Sequence, residues 1–423
     1  MDLTRARDSW RRSPAARAGV FAVALIVVAE GAILLLKPSE EGIPPAPVAE
    51  DDFLDSGRVE EAVDYCSDQR RLLFIGLAAQ ALAVGALAVG RPRIARDLLE
   101  RAARHPVLGA AAAGVVVVAV AEVAALPTSL AAHERAVDAG ISTQSLSPWL
   151  ADQARGLAIS GAMAGAGAAA LSWLIRRFGS RWWLPGSVAA VGAGAAITLL
   201  SPIVIAPQFN DFDELPEGSP LREDVLELGR RADVEIGEVY RVDASRRSTA
   251  LNAYVAGLGP TKRVVLYDTL IEDASRPELE SVVAHELGHV AHADIPRGIA
   301  FAALVTPLGL LFVRELSGAF ARRAGVEPGA PAAVPALFLA IAVTSFAATI
   351  PANQLSRKVE ASADAFALRI TDEPRALIGL QTRLAERNLS DPDPPAISRI
   401  LFGSHPTTLE RIGSALAWER GER

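Results

Sequence analysis

His285 and His289 stand four residues apart in the run His285-Glu286-Leu287-Gly288-His289. On a helix that interval is about one turn, so both imidazoles leave the same face and can share one metal ion. Glu286 points one step round the helix, placed to take a proton from a metal-activated water rather than to bind the ion. Zinc suits this arrangement because it lowers the pKa of a coordinated water toward about 7 and polarises a scissile carbonyl. Upstream, Ser275-Arg276-Pro277-Glu278 has the form of a capping box that opens a helix running through His292.

Catalytic zinc needs a third protein ligand and one open position. A third histidine six residues past His289 would provide it in one class of zincin, but Ile295 stands there. The other class takes a glutamate from a later helix, and Glu360 is the best candidate. Asn353, Arg357, Glu360 and Asp364 recur at +4, +3 and +4, which places all four on one helical stripe. A solvated helix face would explain the stripe less well than a partner site so close to an apolar run. On this reading Asp364 accepts a hydrogen bond from a ligand imidazole, and Arg357 and Asn353 support the same site. His292 is set aside as a ligand because three ligands from one helix would leave Glu360 without a purpose. His405, in Ser404-His405-Pro406, either packs and caps the following helix or donates to a developing oxyanion.

The elements that must position these residues belong to a membrane protein. The chain has 423 residues, 51% of them hydrophobic and only 5% aromatic, with a mean hydropathy of +0.27. Seven runs near 18–36, 72–90, 106–126, 157–175, 184–206, 299–316 and 331–350 are long and apolar enough to span a bilayer. The first is read as a retained helix rather than a cleaved signal. Glu30 and Glu122 fall within spans, where a carboxylate implies a wet or paired setting. The single Cys66 excludes a disulfide framework and a thiolate metal site. A net charge of −7 with scattered arginines gives no sign of a nucleic-acid partner.

Between the fifth and sixth spans, Ser219-Pro220 starts a helix through Arg231, after an irregular connection at 207–212. Residues 236–243, 252–256 and 263–268 read as strands, with Gly257-Leu258-Gly259-Pro260 as a turn. Residues 352–370 and 406–419 read as helices. The fold expected is therefore a multi-pass α-helical membrane protein carrying a small α+β zincin-type unit. Its parts divide as spans one to five in 1–206, the sheet and metal-binding helix in 207–298, spans six and seven in 299–351, and the third ligand in 352–423.

These residues resemble the CAAX prenyl protease type 1 family of integral-membrane zinc metalloproteases, peptidase family M48. The matching pieces are Asn252-Ala253-Tyr254-Val255-Ala256-Gly257, Arg263 to Leu270, the His285–His289 motif, Glu360 to Asp364, and Ser404-His405-Pro406. Less specific matches fall at Gly140 to Ser145 and Trp149 to Asp152. The resemblance implies one zinc ion per chain on His285, His289 and Glu360, with Glu286 as base. It also implies a substrate strand pairing beside Asn252 and Ala253, with Asn252 and His405 steadying the tetrahedral intermediate. Seven helices ringing an intramembrane chamber are the fold it implies.

The partners expected are the lipid bilayer and a protein or peptide substrate. The Ala/Arg/Gly-rich composition suggests a bacterial plasma membrane, where membrane-associated or misfolded polypeptides are a better substrate class than prenylated ones. Arginines at the N-terminus and after spans two, four and six place the N-terminus in the cytoplasm and the catalytic unit outside. A seven-helix transporter or scaffold with a structural metal site is the alternative, and it has no use for Glu286.

Overall fold

The computed structural model describes residues 14–90, 92, 97, 99, 101–257 and 262–422. Arg5, Arg7, Arg11, Arg12, Arg91, Arg93 and Arg96, and the Leu258–Pro260 part of the expected turn, lie outside them.

Seven helices are long and apolar enough to cross a membrane. They are α1 (Pro14–Leu36), α2 (Ser56–Gly85), α3 (Pro106–Asp138), α4 (Leu146–Phe178), α5 (Trp183–Leu200), α9 (Asp294–Ala324) and α10 (Val334–Thr371). Between 0% and 39% of each apolar window is buried, which leaves most of the apolar surface free to meet lipid. α2 packs on α3 and α3 on α4, while α9 packs on α1, α5 and α10, and α10 returns to α2 and α3. Small residues make the closest approach possible. A Cβ on Gly114 of α3 would come within 2.6 Å of the Ala164 carbonyl of α4.

The sheet-bearing unit follows α5. Its strands are β1 (Phe212–Glu214), β2 (Glu238–Val242), β3 (Ala253–Ala256) and β4 (Arg263–Tyr267). They lie in the order β1-β2-β4-β3, with β2 and β4 parallel and both outer pairs antiparallel. β1 falls at the end of the connection read as irregular. Three residues carry too little alternation to announce a strand. Valines at 239, 264 and 265 are fully buried, as suits strands covered by helices. One face packs on α6 (Pro220–Arg231) and α8 (Arg276–Ala291), and Phe366 and Leu380 close the core. α7 (Asp268–Asp273) links β4 to α8.

The Ser275–Glu278 capping box forms as expected, the Glu278 carboxylate accepting from the Ser275 N–H at 2.7 Å. Ser219 precedes Pro220 at the start of α6, but its hydroxyl makes no hydrogen bond and caps nothing. The seventh span and the helix expected over 352–370 are one element, since α10 runs 38 residues through Pro351 without a break. Three helices lie where none was assigned, α7, α11 (Pro374–Arg387) and α12 (Ala396–Phe402). The last helix, α13 (Thr408–Glu419), opens with a Thr407–Glu410 capping box.

Candidate metal centre

α8 and α10 cross where Gly288 lies against Phe366 and Ala363. A Cβ at Gly288 would sit 3.2 Å from Phe366 and 3.3 Å from the Ala363 Cα. The glycine inside the histidine motif thus lets α10 approach closely enough for Glu360 to face both imidazoles.

The Nε2 atoms of His285 and His289 lie 3.2 Å apart. His285 Nδ1 lies 2.8 Å from Asp364 Oδ1, and His289 Nδ1 lies 2.9 Å from Asp294 Oδ2. Carboxylates only accept, so each Nδ1 carries a proton, which leaves each Nε2 as the nitrogen that faces inward and can bind a metal ion. Glu360 adds a third acceptor: Oε2 is 3.2 Å from His285 Nε2 and Oε1 is 3.7 Å from His289 Nε2. Buried Glu360 Oε2 meets no donor in hydrogen-bond geometry. Three ligand atoms within 4.8 Å of one another, all acceptors, fit a divalent cation and little else. Burial disfavours a charged His285, but the Asp364 and Glu360 carboxylates outweigh it and raise its pKa to about 10. The pocket therefore draws positive charge to this point.

Glu286 lies beside the histidines in a cavity of about 470 Å³ shared with Val255, Lys262, His289 and Glu360. Burial raises its carboxyl pKa, and a hydrogen bond from the Val255 N–H works the other way by favouring the ionised form. That bond follows from the strand's register. The Asn252 carbonyl accepts from the Tyr267 N–H at 3.1 Å, so Asn252 and Tyr254 turn their backbone groups toward β4. Ala253 and Val255 turn theirs to the open edge, facing α8. The Ala253 N–H meets the Asn252 Oδ1 at 2.9 Å. Asn252 itself is exposed and is not among the residues lining the cavity.

His405 reaches the same centre, with Nε2 3.4 Å from Glu360 Oε2 and Nδ1 2.8 Å from the Ser404 hydroxyl. Asp364 is where the stripe placed it, but Arg357 and Asn353 serve another purpose. The Arg357 guanidinium donates to the Arg399 and Gly403 carbonyls, and Asn353 Nδ2 donates to the Leu401 carbonyl at 3.0 Å. The end of α12 presents carbonyls that its own ladder leaves partly or wholly free, the Arg399 carbonyl also accepting from the Gly403 N–H, and these side chains bond them. They thereby fix the turn that leads into His405. His292 points away, bonded to Glu40 at 3.1 Å and the Ser362 hydroxyl at 3.2 Å. Glu30 and Glu122 are exposed on their helices.

Two site residues escaped the sequence reading. Asp294 is the first residue of α9, reached through Ala293 in the left-handed region at φ 55°. Arg411 of α13 donates to both oxygens of Asp364, Nε at 2.8 Å and Nη2 at 2.5 Å. Its sequence signal is faint: an arginine on the apolar stripe of Ile412, Ala415 and Leu416, all buried.

Seven membrane-length helices among the described residues, joined to a small sheet and a histidine-bearing helix, define the class as a multi-pass membrane metalloprotease fold. Residues 218–419 match the family model for peptidase family M48, and residues 35–211 match the CAAX prenyl protease N-terminal model of five membrane helices. An uncharacterized metalloprotease, YhfN, of Bacillus subtilis is 33% identical over 295 residues, 69% of each chain. A probable CAAX prenyl protease 1 of Schizosaccharomyces pombe is 29% identical over 281 residues, 65% of this chain and 58% of that one. The crystal structure of S. mikatae Ste24p shares the fold at a TM-score of 0.68 and 21% identity, over 94% of this chain and 98% of that one. The chain belongs to peptidase family M48.

Proposed function

We propose that this protein is a zinc-dependent endopeptidase acting on membrane-associated or misfolded polypeptides. The observation that carries the reading is the convergence of the His285 and His289 Nε2 atoms and the buried Glu360 carboxylate beside Glu286. His285, His289 and Glu360 hold the ion. A zinc ion there supplies Lewis acidity, activating a water molecule and polarising the scissile carbonyl. Glu286 takes the proton of the attacking water and returns it to the leaving amine. Asp364 and Asp294 keep the imidazoles in the tautomer that binds metal.

A substrate strand adds to the open edge of β3, where Ala253 and Val255 offer main-chain groups with little demand on sequence. Asn252 lies at the start of that edge and His405 beside Glu360, and both steady the charge that develops on the carbonyl oxygen. A structural metal site in a transporter or scaffold would leave Glu286 without a task.

The sheet-bearing unit with α8, and the C-terminal half of α10 with the helices after it, form the catalytic part. The helices around it line a chamber that brings membrane-bound chains to the site. Arg176, Arg177, Arg181, Arg314, Arg322 and Arg323 cluster at span ends remote from the metal centre. The positive-inside rule then assigns that face to the cytoplasm and the site to the opposite side. Protease protection in sealed vesicles of known sidedness tests this, and cleavage of the sheet-bearing unit only from the cytoplasmic side would overturn it.

Chelation tests the activity. The detergent-purified chain should cleave an unstructured reporter peptide, lose cleavage to a zinc chelator and regain it with about one equivalent of zinc. Cleavage indifferent to chelation would refute a metal mechanism.

A further inference from the structure

A second cavity lies far from the metal centre. It occupies about 680 Å³ where the ends of α1, α4, α5, α9 and α10 meet. Arg314 follows Asp294 by 20 residues along α9, a rise of about 30 Å, so this cavity sits at the other membrane face. Its level is that of the interface, since spans begin or end within a few residues of Arg17, Ile175 and Trp182, and the uncharged stretch of α9 ends at Val313, next to Arg314. Trp182 is buried in its wall, as suits a headgroup-level anchor.

Among the described residues the charge of the lining is unequal: Arg17, Arg314 and Arg322 face it with one acid, Glu315. Glu315 is buried and already engaged, accepting from Arg17 Nε at 2.9 Å and Arg314 Nη2 at 2.7 Å. Arg322 has no carboxylate partner among the described residues. Directly deeper in the membrane, a cavity of about 410 Å³ is walled almost wholly by apolar and small side chains. The two adjoin along three helices, Ile175 beside Leu174, Arg314 beside Val313, and Leu337 one turn from Ile341. A basic mouth at headgroup level, with an apolar trunk beside it across the buried cluster of Leu174, Val313 and Leu337, matches one class of ligand.

We infer that this cleft binds an anionic phospholipid, its phosphate at Arg314 and Arg322 and an acyl chain in the trunk between α4, α5, α9 and α10. Excess positive charge selects against zwitterionic lipids, and each arginine near the headgroup contributes about fivefold in affinity. The inference stands apart from the protease reading, because no residue of the metal centre takes part.

Native mass spectrometry of the full chain in mixed micelles tests it, with phosphatidylglycerol and phosphatidylcholine supplied equally. Phosphatidylglycerol should be retained in preference, and Arg322→Gln should weaken its retention about fivefold. Arg322 makes no ion pair among the described residues, so that variant should fold, and unchanged peptide cleavage would verify this. Arg314→Gln should weaken retention further. Equal retention of the two lipids, or retention untouched by both substitutions, would overturn the proposal. Soluble glycerol phosphate separates headgroup from lipid. Binding as tight as that of the whole lipid would make this a phosphate site and overturn the role of the trunk.

Discussion

Arg411 holds Asp364 by both carboxylate oxygens, and Asp364 in turn holds the Nδ1 of His285 at 2.8 Å. The last helix of the chain thus sets the orientation of a metal-facing imidazole 126 residues upstream. His285 and Asp364 are buried and Arg411 largely so, and the pair sits where a planar, two-pronged donor acts strongly.

Arg411→Lys should therefore behave as a loss rather than a conservative change. Removal of such support lowers zinc affinity by roughly 10- to 100-fold. The same loss is expected for Asp294→Ala, which frees the His289 ring. Competition against a chromophoric chelator measures both. Wild-type zinc affinity in both variants would show that Arg411 and Asp294 do not orient the ligands.

The acid limb of the rate profile reports Glu286. A base works only when ionised, and burial raises this carboxyl's pKa, so activity should fall at a higher pH than an ordinary glutamate would dictate. The Val255 N–H favours the ionised form, and it faces the open edge rather than β4. Val255→Pro removes that donor without breaking a ladder bond. The acid limb of kcat/KM should then move further up the pH scale. A limb that stays put or moves down would exclude this contact as a tuning element.

Much of this centre was legible because its signals are local. The histidine pair, the capping box ahead of it and the stripe of Asn353, Arg357, Glu360 and Asp364 all rest on helical periodicity within single elements. Spacing places residues on one face but does not say what that face meets. Four residues on one stripe divide in space, Glu360 and Asp364 to the imidazoles, Asn353 and Arg357 to the carbonyls of α12. That division depends on where α12 packs, which no periodicity encodes. Arg411 and Asp294 enter from other helices for the same reason. The unbroken α10 was missed because Pro351 is a helix breaker in water, whereas membrane helices tolerate it.

Arg357 gives a way to test the turn that carries His405. Arg357→Ala removes the side-chain donor from the Gly403 and Arg399 carbonyls while leaving the ligands in place. Zinc content should hold, and kcat should drop by about 10- to 100-fold through misplacement of His405. Combined with His405→Ala, the second substitution should add little. Fully multiplicative losses would separate Arg357 from His405.

Zinc content and peptide cleavage, measured together on wild type, Glu286→Gln and Glu360→Ala, test the central claim most directly. Wild type should carry about one zinc per chain and cleave. Glu286→Gln should keep its zinc and lose cleavage, and Glu360→Ala should lose both. Full activity in Glu286→Gln, or wild-type zinc in Glu360→Ala, would contradict the assignment of base and ligand.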